Sequence, residues 1–218
     1  MVRCEMVKKA REIRADKRRR QVLDAASACF REEGFHGASM SRIAARAEMS
    51  VGHIYRYFDS KETIIIALVQ RDCAKFDRWL RRMISSAATI ETVIANLRRG
   101  MPWLLNRDRA AIFLEMHAEA GRNSKIAAVL TEMDHNLRCL LKELIGRVRR
   151  TSQSGPEEVT DVTIEVVLLQ LQGVAARVTL NPNLDRSVFL EGFERVALAV
   201  LAPEASAQCV LKEAGKAG

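Results

Sequence analysis

Apolar residues recur every three or four positions through most of this 218-residue chain, the period of an amphipathic helix rather than of a strand. Val22, Ala25, Ala26, Cys29 and Phe30 make one such stripe. Their spacing predicts a helix from Lys17 to Glu33, with Gly34 placed to stop it. A longer stripe from Lys61 runs through Ile64, Ile65, Leu68, Phe76, Trp79, Leu80 and Met83. Further helices are expected from Ile90 to about Leu105, perturbed by Gly100 and Pro102, and over "RAAIFLEMHAEA", capped by Asp108 and ended by Gly121. Another runs from Ile126 to Val148. "TSQSGP" then reads as a loop that sets Pro156 at the first position of the next helix, which carries Val159, Val162, Val166, Leu169, Gly173 and Ala176. "NPNLD" ends that helix and caps a last one with Phe189, Phe193, Val196, Ala197 and Val200, before a tail after Pro203 that is expected to fray. The valine-rich "VTIEVVLLQLQGVAARVTL" far exceeds the length of a typical strand, so the chain is read as all-α, with about nine helices.

One stretch departs from this regime of long helices. In "MSRIAARAEMSVGHIYRYFDSKE", Met40 to Glu62, two short apolar repeats flank a three-residue break. Ser39 is a good cap for the first, with Ile43, Ala44 and Ala47 on its inner face. Ser50 caps the second, through Tyr57, and Asp59 or Ser60 caps the helix beginning at Lys61. Two short helices crossing at a tight turn make a helix-turn-helix, whose second helix enters the DNA major groove. Ile43, Ala44, Ala47, Met49, Ile54 and Phe58 supply the small core joining the pair. Gly52 and His53 leave room for, and reach toward, base edges; Tyr55, Tyr57 and Lys61 carry donors suited to phosphates, and Ser39, Ser41 and Arg42 can join them.

Charge strengthens that reading. Of a net +8, the residues up to Lys61 contribute +6, from fourteen Lys and Arg against eight Asp and Glu, while the longer remainder is close to neutral at +2. A basic module on a neutral body is the footprint of nucleic-acid binding, although a solvated basic tail gives the same count. The run "KRRR" at 17–20 is either a phosphate-steering arm or a soluble helix start. Five scattered cysteines without CxxC spacing support neither a disulfide framework nor a zinc site; Cys29 and Cys139 lie within apolar repeats and are expected to be buried thiols. The first twenty residues are charged throughout and lack the apolar core of a secretory signal, and no uninterrupted apolar run reaches the roughly 20 residues of a membrane span. A cytoplasmic protein without membrane contact is expected.

The residues "GFHGASMSRIAARAEMSVGHIYRYFDSKE" resemble the N-terminal module of the TetR family of transcriptional regulators. The resemblance rests on Gly34, Ser39, Ile43-Ala44, Ser50, Gly52, Ile54, Tyr55, Tyr57-Phe58, Ser60, Lys61 and Glu62, and covers about 45 residues with the preceding helix. It implies a three-helix DNA-binding domain over residues 1–60 and a larger helical ligand-binding and dimerisation domain over 61–218. DNA contacts are then expected from Ser39, Ser41, Arg42, Ser50, Val51, Gly52, His53, Tyr55, Tyr57 and Lys61. Two positions depart from the family pattern. Glu48 stands in the turn where glycine is usual, so a positive φ there would carry strain and its charge would repel phosphates. Val51 replaces a polar or basic residue and either packs with Ile54 and Phe58 or reads a thymine methyl.

The same resemblance implies a ligand pocket between the central helices, with Trp103, Phe113, Met116, His117 and Met133 as candidate lining residues, although core positions explain them as well. Glu115, His117 and Glu119 are spaced poorly for a metal, and neither a metal nor a cofactor is expected. The last two long helices are the expected homodimer surface, with Gly173 and Ala176 allowing close approach and Val162, Val166, Phe189, Phe193 and Val196 supplying apolar area. The function expected is a repressor released from a palindromic operator by a small-molecule inducer. The alternatives are a constitutive DNA-binding protein and a helical enzyme. No GxxxxGK[ST], GxSxG or HExxH motif favours the enzyme, and the four histidines are dispersed.

Overall fold

The computed structural model describes residues 2–86, 89–152, 159–181 and 183–202. Among them are nine α-helices and no strand: α1 (Val2–Gly37), α2 (Met40–Arg46), α3 (Val51–Tyr55), α4 (Lys61–Ser85), α5 (Ile90–Leu104), α6 (Arg107–Ala120), α7 (Ser124–Thr151), α8 (Asp161–Leu180) and α9 (Arg186–Leu201). They fall into two compact units, one of Met1–Asp72 with Glu115–Val129, the other of Cys73–Leu114 with Leu130–Gly218.

In the first unit the stripe of α1 is buried as its spacing requires: Val22, Ala26, Cys29 and Phe30 are almost fully removed from water. Gly34 takes φ 71° and ψ 171°, a conformation that only glycine adopts cheaply, and the chain turns there toward α2. Ser39 caps α2 by accepting the Arg42 N–H at 3.1 Å, and Ser50 caps α3 by accepting that of His53 at 3.2 Å. At α4 the cap is Ser60 rather than Asp59: its hydroxyl accepts the Thr63 N–H, and the Thr63 hydroxyl accepts the Ser60 N–H, each at 3.2 Å. This reciprocal pair satisfies two backbone donors that would otherwise lack partners. Ile43, Ala44, Ala47, Ile54, Phe58, Ile64, Ile65 and Leu68 complete the interior, joined by Met116 and Ile126.

The second unit buries Leu80, Met83 and Ile84 of α4 with Val93 of α5, Leu140, Leu141, Leu144, Ile145 and Val148 of α7, and Ile164 and Leu168 of α8. A second cluster joins Met101 and Leu105 to Ala110, Val174, Ala175, Val178 and Phe193. Polar ties run between the same helices. Arg98 grips the Glu194 carboxylate with two hydrogen bonds, at 2.6 and 3.0 Å, which hold that carboxyl below its usual range. Arg149, 3 % exposed, donates from Nε and Nη2 to the Val200 carbonyl near the end of α9.

Several expectations need correcting. The first helix reaches back to Val2, well before Lys17. The cap of α6 is Asn106, whose Oδ1 accepts the Arg109 N–H at 2.9 Å, because Asp108 already lies inside the first turn. Pro156 and the tail after Pro203 lie outside the described residues, as do Cys209 and the Cys4 side chain; α8 begins at Asp161 under a Thr160 cap. Cys29 is buried, but Cys139 is exposed, with Sγ 3.8 Å from His135 Nε2, since its side of α7 turns away from the apolar stripe. Although no uninterrupted apolar run is that long, α8 as a helix does have the length and apolarity of a membrane-crossing segment. Its two carboxylates are ion-paired on the protein, Glu165 with Arg138 and Asp161 with Lys142.

Candidate functional site

The helix-turn-helix is built almost entirely by packing. A five-residue helix such as α3 is unstable alone, since isolated helices shorter than about 12–15 residues are marginal. It is held by one buried side chain, Ile54, at 0 % exposure, by its packing on α2, and by α1 through the residues that follow it. Arg19 donates to the Tyr57 carbonyl at 3.1 Å and lies 4.7 Å from the centre of the Phe58 ring. Gln21 donates to the Ala47 carbonyl at 2.7 Å, closing the end of α2. One arginine of "KRRR" is therefore structural. Lys17 and Arg20 border an open groove with Gln21, Asp24 and Arg46.

On this scaffold Ser39, Ser41, Arg42, Ser50, Gly52 and Tyr55 are exposed, and Val51, His53, Tyr57 and Lys61 are half-buried. Nothing inside the protein demands glycine at position 52, where an added Cβ would meet no atom within 4 Å. His53 and Tyr57 form a pair, with ring centres 5.5 Å apart and Tyr57 Oη 3.4 Å from His53 Nε2. Arg42 is ion-paired with Glu33 and Arg46 with Glu32, so both are braced against α1. The Arg46 hydrogen bond lowers the pKa of Glu32 and raises that of Arg46 itself. Lys61 donates to the carbonyls of Ala38 at 2.9 Å and His36 at 3.3 Å, and lies 4.6 Å from the Phe35 ring centre. Two of its three N–H bonds thus hold the α1–α2 connection, and burial pushes its pKa down against the opposing charge of Glu119.

Glu48 takes φ 52°, the left-handed backbone anticipated at this turn. For a residue with a Cβ this costs about 1–2 kcal/mol, partly offset by the unfolded-state entropy that glycine would add. Glu48→Gly is accordingly expected to raise the melting temperature by roughly 2–4 °C, read in a thermal scan. It should also tighten binding to DNA, by removing a negative charge from the turn.

Sequence reasoning missed the part played by the end of α6. Glu115 accepts the Phe35 N–H at 3.2 Å, and Glu119, 7 % exposed, lies 2.9 Å from His36 Nε2. Glu62 of α4 accepts from the Asn123 side chain at 3.2 Å. The signal available was the four-residue spacing of the two glutamates, which puts both carboxylates on one helical face and turns them toward the end of α1, while His117 is exposed.

Of the other candidate ligand residues, Met116 is buried in the first unit, while Phe113 packs beside the Met101–Phe193 cluster and Met133 is half-buried on α7. Trp103 borders a cavity of about 190 Å³ lined by Lys75, Phe76, Trp79, Gly100 and Leu104. Phe76 stacks on Trp103 at 5.7 Å, and the Arg109 guanidinium covers the Trp103 ring at 3.6 Å. On the last two helices Phe193 is buried within the protomer and Phe189 is packed beside it, correcting their assignment to an outer surface. The exposed apolar residues there are Val162, Val166, Leu169, Leu180, Val188 and Leu198.

Known proteins match this architecture. The sequence profile described as "Bacterial regulatory proteins, tetR family" matches residues 22–68, from the buried face of α1 into α4. The HTH-type transcriptional repressor AcnR of Corynebacterium efficiens is 30 % identical over 158 residues, covering 72 % of this chain and 77 % of AcnR. The HTH-type transcriptional regulator UidR of Escherichia coli K12 is 24 % identical over 187 residues, covering 84 % of this chain and 92 % of UidR. The crystal structure of the transcriptional regulator FadR from Bacillus subtilis in complex with stearoyl-CoA superposes with a TM-score of 0.66 at 23 % identity, over 84 % of this chain and 97 % of FadR. With its helix-turn-helix, its all-helical body and a repressor related to it over most of both lengths, this chain belongs to the TetR family and is a DNA-binding transcriptional regulator.

Proposed function

We propose that the protein is a homodimeric repressor that binds a palindromic operator and leaves it when a small molecule binds the body. The observation that carries this reading is the bare start of α3: Gly52 exposed with open space around it, flanked by Val51, His53 and Tyr55. A helix presented this way fits a major groove, with the tyrosines and the serines of α2 placed for phosphates and His53 and Val51 for base edges. In this reading residues 1–60 are the DNA-binding domain and 61–218 the ligand-binding and dimerisation domain. The protein then works in the cytoplasm by binding alone, without metal, cofactor or turnover.

A two-fold axis is required because one short recognition helix reads only a few base pairs. The exposed stripe of Val162, Val166 and Leu169 on α8, with bare Gly173 below it, is suited to meet its own copy. Ligand control is supported by α4, which is one continuous helix from Lys61 to Ser85 and belongs to both compact units. A ligand that favours one position of the second half of α4 shifts the population of the first half, by its differential affinity for the two states. FadR of Bacillus subtilis, a fold neighbour, was crystallised in complex with stearoyl-CoA.

The test is selection of bound duplexes from a random pool, followed by titration of the winner. An inverted repeat bound by two chains is the expected result; enrichment of no sequence would remove the operator model. Lys17 and Arg20 border the groove beside α1, and if they neutralise phosphates, changing both to Ala should weaken binding to all sequences alike. The slope of log K against log salt should then fall by about 2.

A further inference from the structure

Two cavities in the second unit share a wall. The outer one, about 190 Å³, has Lys75 as its one charged lining residue, together with Phe76, Trp79, Gly100, Trp103 and Leu104. The inner one, about 80 Å³, is lined by apolar residues of α4, α5, α7, α8 and α9 and by a single polar side chain, Gln170. Phe76 and Trp79 line both. They are side chains and not backbone, so the wall between the spaces is one that a change of rotamer moves. The facing helix is weak at this point. Pro102 has no N–H to continue the α5 ladder, and Gly100 lies so close to Trp79 that a Cβ would stand 2.8 Å from the indole.

The lining restricts what can enter. An ionised or strongly hydrogen-bonding ligand would lose its hydration here without partners, since burying even a neutral polar group unpaired costs about 1–3 kcal/mol, and a charge more. A hydrocarbon loses nothing of the kind and gains from the contacts.

We propose that the effector is a hydrophobic molecule with an uncharged hydrocarbon body, which fills the joined cavities past Phe76 and Trp79 and keeps its polar head at the Lys75 mouth. The inference rests on the ligand-released repressor argued above, and names the class of ligand that the body takes. Because Phe76 and Trp79 are carried by α4, the displaced wall belongs to the helix that begins at Lys61 in the reading module.

The chain has two tryptophans, Trp79 and Trp103, and both line this site, so intrinsic fluorescence reports on it directly. The full-length protein is titrated with decanol, with decanoate and with glucuronate, the last a carboxylate of high polarity without a hydrocarbon body. Decanol and decanoate should both shift the emission saturably, with affinities within about tenfold of each other, and glucuronate should not. Trp103→Phe, which leaves Trp79 as sole reporter, should keep the response to decanol. Ala197→Phe, which extends a ring into the inner cavity, should weaken decanol at least about tenfold while the far-ultraviolet circular dichroism stays that of the wild type. If that chain loses helicity, Ala197→Leu takes its place. Glucuronate binding, or no response to either ten-carbon probe, overturns the proposal. Operator binding by the same preparation separates the two readings: a protein that binds its operator yet ignores both probes keeps the repressor and loses the hydrophobic effector.

Discussion

Ile54→Ala is expected to abolish specific DNA binding while leaving most of the helical content in place. Ile54 is fully buried and is the one buried residue of α3, a helix of five residues. Removing a buried isoleucine side chain down to Cβ costs about 2–5 kcal/mol. A helix this short has no stability of its own to set against that loss. The effect therefore falls on the position of Gly52, His53 and Tyr55, and on the Arg19 contact with the Tyr57 carbonyl that follows. Coupled fully to binding, the loss corresponds to roughly thirtyfold to several-thousandfold in affinity. Fluorescence anisotropy with the selected duplex measures it, and circular dichroism shows that the long helices survive. Ile54→Val, at about 0.5–1.5 kcal/mol, should retain most of the binding. Wild-type affinity in Ile54→Ala would mean that α3 is not what reads the DNA.

Leu169→Glu is expected to separate the dimer and, through that alone, to weaken operator binding by about a hundredfold or more, since each chain would then bind its half-site without the second. Leu169 is 65 % exposed in the protomer, between Val166 and Gly173 on the outer face of α8, while Ile164 and Leu168 on the inner face form the core. A change at such a surface position normally moves protomer stability by no more than about 0.5 kcal/mol. In a dimer sealed by this stripe, the same carboxylate would be buried against its own copy. Like charges facing each other across a two-fold axis in an apolar interface cannot both stay ionised there without several kcal/mol of penalty. Sedimentation equilibrium should show the mass of one chain in place of two, with thermal stability of the dissociated chain otherwise ordinary. A dimer that persists with wild-type operator affinity would place the interface elsewhere.

Much of this protein is legible from local rules. The caps at Ser39, Ser50 and Asp185, the break in α1 at Gly34 and the left-handed turn at Glu48 each depend on a residue and its near neighbours, and each stands where the sequence puts it. Ile43, Ala44, Ala47, Ile54 and Phe58 were identifiable as the joining core because helical periodicity alone assigns them one side. The family pattern lies in this same stretch, since the constraints of a small recognition module are mostly short-range.

What periodicity cannot supply is the partner of an apolar face. The sequence marks Phe193 and Val166 equally as apolar positions of the expected dimer surface, and only the packing of α9 on α5 and α8 buries the first and leaves the second at 45 % exposure. Cys139 is exposed for the same reason, although it lies in an apolar repeat. The roles of Glu115 and Glu119 depend on a fold-back of some eighty residues that brings them to Phe35 and His36. Lys61, expected at a phosphate, has two of its donors on α1–α2 carbonyls, a choice set by where the chain end of α1 comes to rest. The sequence by itself determined the helices, their caps and the reading module, because those free energies are local. The tertiary structure alone decided which faces are core, which stay open, and where Trp79 and Trp103 enclose a cavity, because burial is a property of neighbours far apart in the chain.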